Sequence, residues 1–236
     1  MNILILGASS QMGRELALSF SFKNSLTLLG RNKNILESVA QDCLEVGALT
    51  VDCIVQDIAD GIDLLNQRIG DKQFDLVMNL IASTSRVKDS EFSPSQLEEY
   101  LMSDLLVPVQ MLQNMVERSS KPLKVIFISS VLASVKSPDR LLYGSLKLLQ
   151  EMCLHKLAAR RQGIELLVVK IGKVIPHNHS SDKTKKLAAL IYEAHLQNKK
   201  VLNYGLVGRF YVGLFYIQPL IFKSIVTLQR LLRGRE

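Results

Sequence analysis

Cysteine is scarce in this 236-residue chain: Cys43, Cys53 and Cys153 stand far apart, odd in number and without a CxxC pair. That excludes a disulfide framework and a zinc site, and it fits a reducing, cytoplasmic compartment. No internal repeat or low-complexity tract interrupts the chain, so neither a solenoid nor a long disordered segment is expected. The N-terminus runs straight into "ILIL" with no basic region and cleavable apolar core, so no signal peptide is expected. Acidic charge is in deficit, with 29 Lys and Arg against 22 Asp and Glu and a formal net charge of +7. An anionic partner fits that surplus, whether a phosphorylated cofactor, a phospholipid surface or a nucleic acid, and so does a merely basic soluble protein. Aromatics make up only 6%, and none stand beside the lysine runs "KTKK" and "NKK". Those runs read as solvated helix faces, which argues against nucleic acid.

What the chain does have is alternation. Apolar runs of strand length occur at "NILIL" (Asn2 to Leu6), "SLTLLG", "LTVDCIV", "FDLVMNL", "LKVIFIS" and "IELLVVKI". Between them lie stretches with apolar residues three and four apart, such as "QLEEYLMSDLLVPVQMLQNMV". Continuous apolar strands separated by helices predict a parallel sheet buried on both faces. Right-handed crossovers then give an α/β, doubly wound (Rossmann) fold over residues 1–207. In such a fold ligands bind beyond the carboxyl ends of the strands, where strand order reverses.

The first strand end carries "GASSQMG". Gly7 can take a backbone conformation closed to other residues, and Gly13 lets the next helix pack closely on the strand. Ser9 and Ser10 can cap that helix, whose free N–H groups attract a pyrophosphate; Gln11 and Met12 complete the loop. Its Gly-x5-Gly spacing departs from GxGxxG, because Gln11 stands where a glycine is expected. That substitution is tolerated only if the Gln11 side chain points outward.

The second strand ends in Gly30 and Arg31, with no carboxylate for a ribose hydroxyl. A guanidinium there suits a 2′-phosphate, which favours NADP with NAD as the alternative; otherwise Arg31 is a solvated residue at a helix start. Asp57, after the third strand, either accepts from an adenine amino group or caps the following helix. Asn79 and the small Ala82 follow the fourth strand, beside the expected cofactor path, or Asn79 simply binds neighbouring backbone. The densest constellation is "FISSVLASVKSPDRLLYGSLK": Ser130 ends the fifth strand, and Tyr143 and Lys147 share one face of a helix. A nearby ammonium and a positive nicotinamide favour phenolate at Tyr143, and Ser130 can donate to a carbonyl oxygen as charge develops on it. Lys147 can also hold the nicotinamide ribose.

From "LGASSQMG" through "DLVMNLIA" and "FISSV" to "YGSLK" and "VVKIGKV", residues 1 to 176 resemble a short-chain dehydrogenase/reductase. The resemblance implies Ser130, Tyr143 and Lys147 as catalytic residues. It also implies Gly7, Ser10, Gly13, Arg31, Asp57, Asn79, Lys147 and Ile175 around the cofactor. Departures are Gln11 for the middle glycine, "NLIA" for Asn-Asn-Ala-Gly, Asp104 for the catalytic asparagine, and "KIGKV" for Pro-Gly. With the glycine-poor loop, "LLYGSLK" and the tail, they are similar to the reductase partner in decaprenylphosphoryl-ribose epimerisation and to reductases of bacterial polysaccharide clusters. The implied substrate is a small keto or hydroxy compound, a sugar or lipid-linked sugar, and homo-oligomers are usual in the family.

Residues 208–236 form a separate apolar and basic tail, with "RFYVGLFYIQPLIFKSIVTLQRLLRGR" interrupted by Gln218, Pro219, Lys223 and Gln229. Three readings stand: a helix lying at the inner face of the membrane, a helix docked on the domain or between subunits, and a spanning helix. His177 and His179 in "PHNH" lack further ligands, so no metal is expected. The competing functional reading, motivated by Gln11 and Asp104, is a dinucleotide-binding regulatory or scaffold protein without catalysis. An epimerase or dehydratase of the nucleotide-sugar branch would need more chain after Pro176.

Overall fold

In the computed structural model, which describes residues 1–83, 93–119, 123–135, 138–160, 164–172 and 182–204, the apolar runs lie side by side. They form β1 (Asn2–Leu6), β2 (Ser25–Gly30), β3 (Thr50–Val55), β4 (Leu76–Asn79), β5 (Leu123–Ser130) and β6 (Ile164–Ile171). A short β7 (Val201–Tyr204), which sequence patterning does not mark, extends the sheet at its far edge. All pairs are parallel, in the order β3-β2-β1-β4-β5-β6-β7. The order reverses between β1 and β4, so the crevice for a ligand opens there.

Among the described residues the α-helices are α1 (Gln11–Ser19), α2 (Lys33–Val46), α3 (Ile62–Ile69), α4 (Pro94–Leu101), α5 (Val107–Arg118), α6 (Leu141–Arg160) and α7 (Asp182–Leu196). Alternation along β1 splits the core in two. Ile3 and Ile5 join Leu16, Phe20, Leu187 and Ile191 on the α1–α7 side. Leu4 and Leu6 join Val107, Met111, Leu112 and Phe127 on the α5–α6 side. Each such leucine or isoleucine stabilises the fold by about 1.5–3 kcal/mol on burial.

The long helical pattern from Gln96 to Val116 proves to be two helices joined by a π-helical turn over Met102–Leu106. Pro108 has no N–H to give the carbonyl four residues earlier, and its ring crowds that carbonyl. The widened turn takes up the misfit and puts Asp104 in the interior, 1% exposed. Among the described residues no helix is long and apolar enough to cross a membrane. Ile175, His177, His179 and the tail at 208–236 lie outside the described residues.

Candidate active site

The β1–α1 junction is shaped mainly by backbone. Gly7 turns at φ +86°, which lets its own N–H and that of Ala8 both reach the Leu29 carbonyl at 3.0 Å. A Cβ on Gly13 would lie 2.4 Å from the Gly7 carbonyl oxygen, so only glycine lets α1 start this close to the strand. Ser10 caps α1, its Oγ accepting from the Gly13 N–H at 3.0 Å and donating to the Gly7 carbonyl at 2.8 Å. Ser9 packs toward Gly30, whose missing Cβ would sit 2.8 Å from the Ser9 Oγ. Gln11 is exposed at the first helical position, and Met12 is half-buried behind it. A tight glycine turn, a capped helix start and an exposed polar rim fit a dinucleotide pyrophosphate.

Arg31 and Asp57 meet across the ends of β2 and β3, with Arg31 Nη1 3.3 Å from Asp57 Oδ2. The other Asp57 oxygen accepts from the Ala59 N–H at 3.0 Å, so Asp57 does cap the following 3-10 turn. The Arg31 side chain is 69% exposed, open to an anion on the solvent side. Asn79 is buried, and its Oδ1 accepts from the Ile81 N–H at 3.1 Å. Ala82 is half-buried beside it. The two parts of the crevice adjoin, because a Cβ on Gly7 would stand 3.5 Å from Leu80.

At the other end the structure gathers Ser130, Tyr143, Lys147 and Asp104. Ser130 ends β5 and caps a 3-10 turn over Val131–Ala133, its Oγ accepting from the Leu132 N–H at 3.2 Å. The Tyr143 side chain faces Ser130, which favours the ionised form of its hydroxyl. Gly144 makes that approach possible, since a Cβ there would stand 2.5 Å from the Leu132 carbonyl oxygen. One turn further along α6, Lys147 is 1% exposed and donates to the Ile81 carbonyl at 2.7 Å and the Ile128 carbonyl at 3.1 Å. Its ammonium also lies over the Phe127 ring, 4.8 Å from the centroid. Asp104 accepts from the Ser83 N–H at 2.8 Å and from the Ser103 hydroxyl at 3.3 Å.

Burial brings the Lys147 ammonium down to about 8, against an upward pull from Asp104 and Glu151. Tyr143 differs from its sequence-based expectation. Among the protein's own groups, burial pushes its hydroxyl above the usual range, with Asp104 adding to the rise; Ser130 and Arg140 pull it back. At neutral pH the side chain is therefore a phenol, ready to give a proton, beside a lysine that is mostly cationic.

Sequence reasoning missed a second buried cluster behind this one. Glu151 and Lys170, both 6% exposed, form an ion pair of 3.0 Å between α6 and β6. Two signals were present: Glu151 continues the i, i+4 row of Tyr143 and Lys147, and Lys170 interrupts an otherwise apolar strand. Among the described residues no group of three or more His, Cys, Asp or Glu side chains could hold a metal ion.

Residues 1–189 match the model of the short chain dehydrogenase family. No curated protein matches the sequence. Solved structures with the same fold include a short-chain dehydrogenase from Sphingobium yanoikuyae in complex with NADPH, at 15% identity and a TM-score of 0.79, covering 93% of this chain and 94% of that one. The bulky-bulky ketone specific alcohol dehydrogenase of Comamonas testosteroni superposes with a TM-score of 0.75 at 16% identity, over 93% of each chain. A carbonyl reductase from Pseudomonas aeruginosa PAO1 gives 0.64 at 19% identity, over 86% of this chain and 94% of that one.

Proposed function

The chain belongs to the short-chain dehydrogenase family, NAD(P)-dependent oxidoreductases acting on CH–OH groups, and from that premise we propose that it is an NADPH-preferring reductase of a keto sugar or lipid-linked keto sugar. The observation that carries the chemistry is the meeting of Ser130, at the end of β5, with Tyr143 on α6, one helical turn from the buried Lys147. In the reductive direction Tyr143, a phenol at neutral pH, gives its proton to the ketone oxygen. Ser130 donates a hydrogen bond to the same oxygen as negative charge gathers on it. Lys147, held on two carbonyls, keeps a positive charge beside the phenolate that Tyr143 becomes, and it reaches the nicotinamide ribose. Asp104 stands in the place of the family's asparagine and keeps Lys147 protonated. NADPH, when bound, supplies the hydride.

In this reading Gly7, Ser9, Ser10, Gln11, Met12 and Gly13 hold the pyrophosphate at the start of α1. Arg31 takes the 2′-phosphate, and Asp57 stands at the adenine end. Asn79, Ala82, Tyr143 and Lys147, with Ile175, line the path to the nicotinamide. The NADPH-bound Sphingobium structure supports the cofactor, and the exposed Arg31 supports its phosphate. The sugar rests on the glycine-poor first loop, "LLYGSLK" and the apolar, basic tail.

Copies of the chain associate in this reading, supported by an outward face of α6 that exposes Leu141, Leu148, Leu149 and Met152. The tail makes peripheral contact with anionic lipid at the inner face of the membrane. Deletion after Val207 then releases the protein from anionic vesicles, and a full-length chain indifferent to those vesicles contradicts this.

The function is tested by following NADPH oxidation with panels of keto sugars and of bulky, non-sugar ketones. Wild type is expected to oxidise NADPH with the sugars. Tyr143→Phe loses about 10²–10⁴-fold in turnover while NADPH affinity, read by fluorescence, holds. Undiminished turnover in Tyr143→Phe contradicts the assignment, and turnover confined to the non-sugar ketones contradicts the sugar.

A further inference from the structure

The Glu151–Lys170 pair takes no part in the chemistry just described, yet it joins the elements that carry it. Ser129, immediately before Ser130, donates a hydrogen bond to Glu151 Oε1. Glu151 Oε2 lies 3.0 Å from Lys170 Nζ. Lys170 in turn donates to the Ser134 Oγ at 2.8 Å. Ser129 and Ser134 bracket the Val131–Ala133 turn, so the four groups close around the turn that presents Ser130.

Stability does not explain such a pair. Two buried charges lose hydration that their attraction barely restores, and apolar residues of similar size are often as stable or better. On β6 such residues were at hand, because Leu166 and Val168 already point into the α5–α6 core from the same face of the strand. What the charges add is direction. With each end hydrogen-bonded, the network admits one arrangement where an apolar contact would admit several.

We propose that Glu151 and Lys170 are positioning residues, which clamp the Ser130 turn through Ser129 and Ser134 and so fix its height against Tyr143 on α6. The proposal rests on the reductase reading only for its effect on rate. Glu151 has a second consequence, one turn beyond Lys147. The charged and titratable groups around Lys147 are Asp104 from the π-helical turn, Tyr143 and Glu151 from its own helix, and Lys170 behind Glu151 on β6. Asp104 and Glu151 both raise the Lys147 ammonium against burial. Removing the Glu151 charge therefore lets Lys147 lose its proton at lower pH.

The test uses the full chain with Glu151→Leu and Lys170→Met combined, which removes both charges and leaves none unpaired. The double variant is expected to fold, with a somewhat lower melting temperature as the buried Ser129 hydroxyl loses its acceptor, and to keep its NADPH affinity while turnover falls by about tenfold or more. Amide exchange at Leu132, bonded to Ser130, and at Ser134, bonded to Val131, is expected to quicken. That readout needs no substrate, so it separates the two claims. If Tyr143→Phe turns over like wild type, the reductase reading fails and exchange still decides the clamp. Unchanged exchange in the folded double variant overturns the clamp whatever the rate does. Should that variant not fold, Ser129→Ala with Ser134→Ala carries the same exchange test, cutting both ties to the turn and leaving the ion pair in place. In Glu151→Gln the alkaline limb of the pH–rate profile is expected at lower pH, whereas Lys170→Arg, which keeps both charges, is expected to leave it where wild type has it. An unmoved limb refutes the electrostatic part.

Discussion

At the β1–α1 junction polar groups are placed by backbone, with Gly7 in a left-handed turn, Gly13 pressed on the Gly7 carbonyl and a single serine closing the helix start. At the β5–α6 junction they are placed by buried side chains, with Lys147 on two carbonyls, Asp104 under a widened turn and Glu151 against Lys170. The first arrangement tolerates an exposed Gln11 where the family has glycine, because its shape lies in the main chain. The second carries an exchange of its own, Asp104 for the family's asparagine, but there a change of side chain alters the charge that its neighbours feel, as Asp104 and Glu151 do for Lys147. A junction shaped by backbone and one shaped by charge can thus vary separately.

Paired glycine substitutions should break that comparison most sharply. Gly144→Ala sets a Cβ 2.5 Å from the Leu132 carbonyl and pushes Tyr143 away from Ser130. Turnover is expected to fall by about 10²-fold with NADPH affinity held, as steady-state kinetics and fluorescence titration would report. Gly13→Ala sets its Cβ 2.4 Å from the Gly7 carbonyl and acts on the other end. It should cost about 1–3 kcal/mol in denaturant unfolding and weaken NADPH binding.

The pH responses come next in size. Turnover in the reductive direction should decline as pH rises through about 8, where Lys147 loses its charge. Stability should move the other way. Between about 8 and the ordinary lysine value of 10.5 the unfolded chain binds the proton that the folded chain has released, so the Lys147 contribution to stability rises with pH across that window. Lys147→Met removes this component, and a melting series across the window for both proteins measures it. The smallest effect is expected at Ser10→Ala, a cap loss of about 1 kcal/mol by denaturant unfolding.

Of the strands in the seven-stranded sheet, β1, β2, β4, β5 and β6 were legible because parallel strands buried on both faces read as largely apolar runs, and the exposed edge strand β3 because Thr50, Val51, Ile54 and Val55 are β-branched. β7 was not, since it has only four residues and Val201 is its one β-branched side chain. The α4–α5 break was hidden because both helices keep the same apolar period across it, and only Pro108 hinted at the change. Ser130, Tyr143 and Lys147 were legible because their relation is local: a strand end and one helix face. Glu151 and Lys170 meet only through the packing of α6 on β6, a register that neither segment encodes alone. Gly144 belongs with them, for its partner is a carbonyl twelve residues back in a turn whose course the sequence does not show.

A crystal structure of the full chain with NADPH tests the central claim most directly. The account predicts the pyrophosphate at the start of α1, the 2′-phosphate on Arg31, and the nicotinamide ring beside the Tyr143 hydroxyl with Lys147 on its ribose. A nicotinamide lying away from Tyr143, or a Ser130 hydroxyl turned out of the crevice that holds it, would contradict the account.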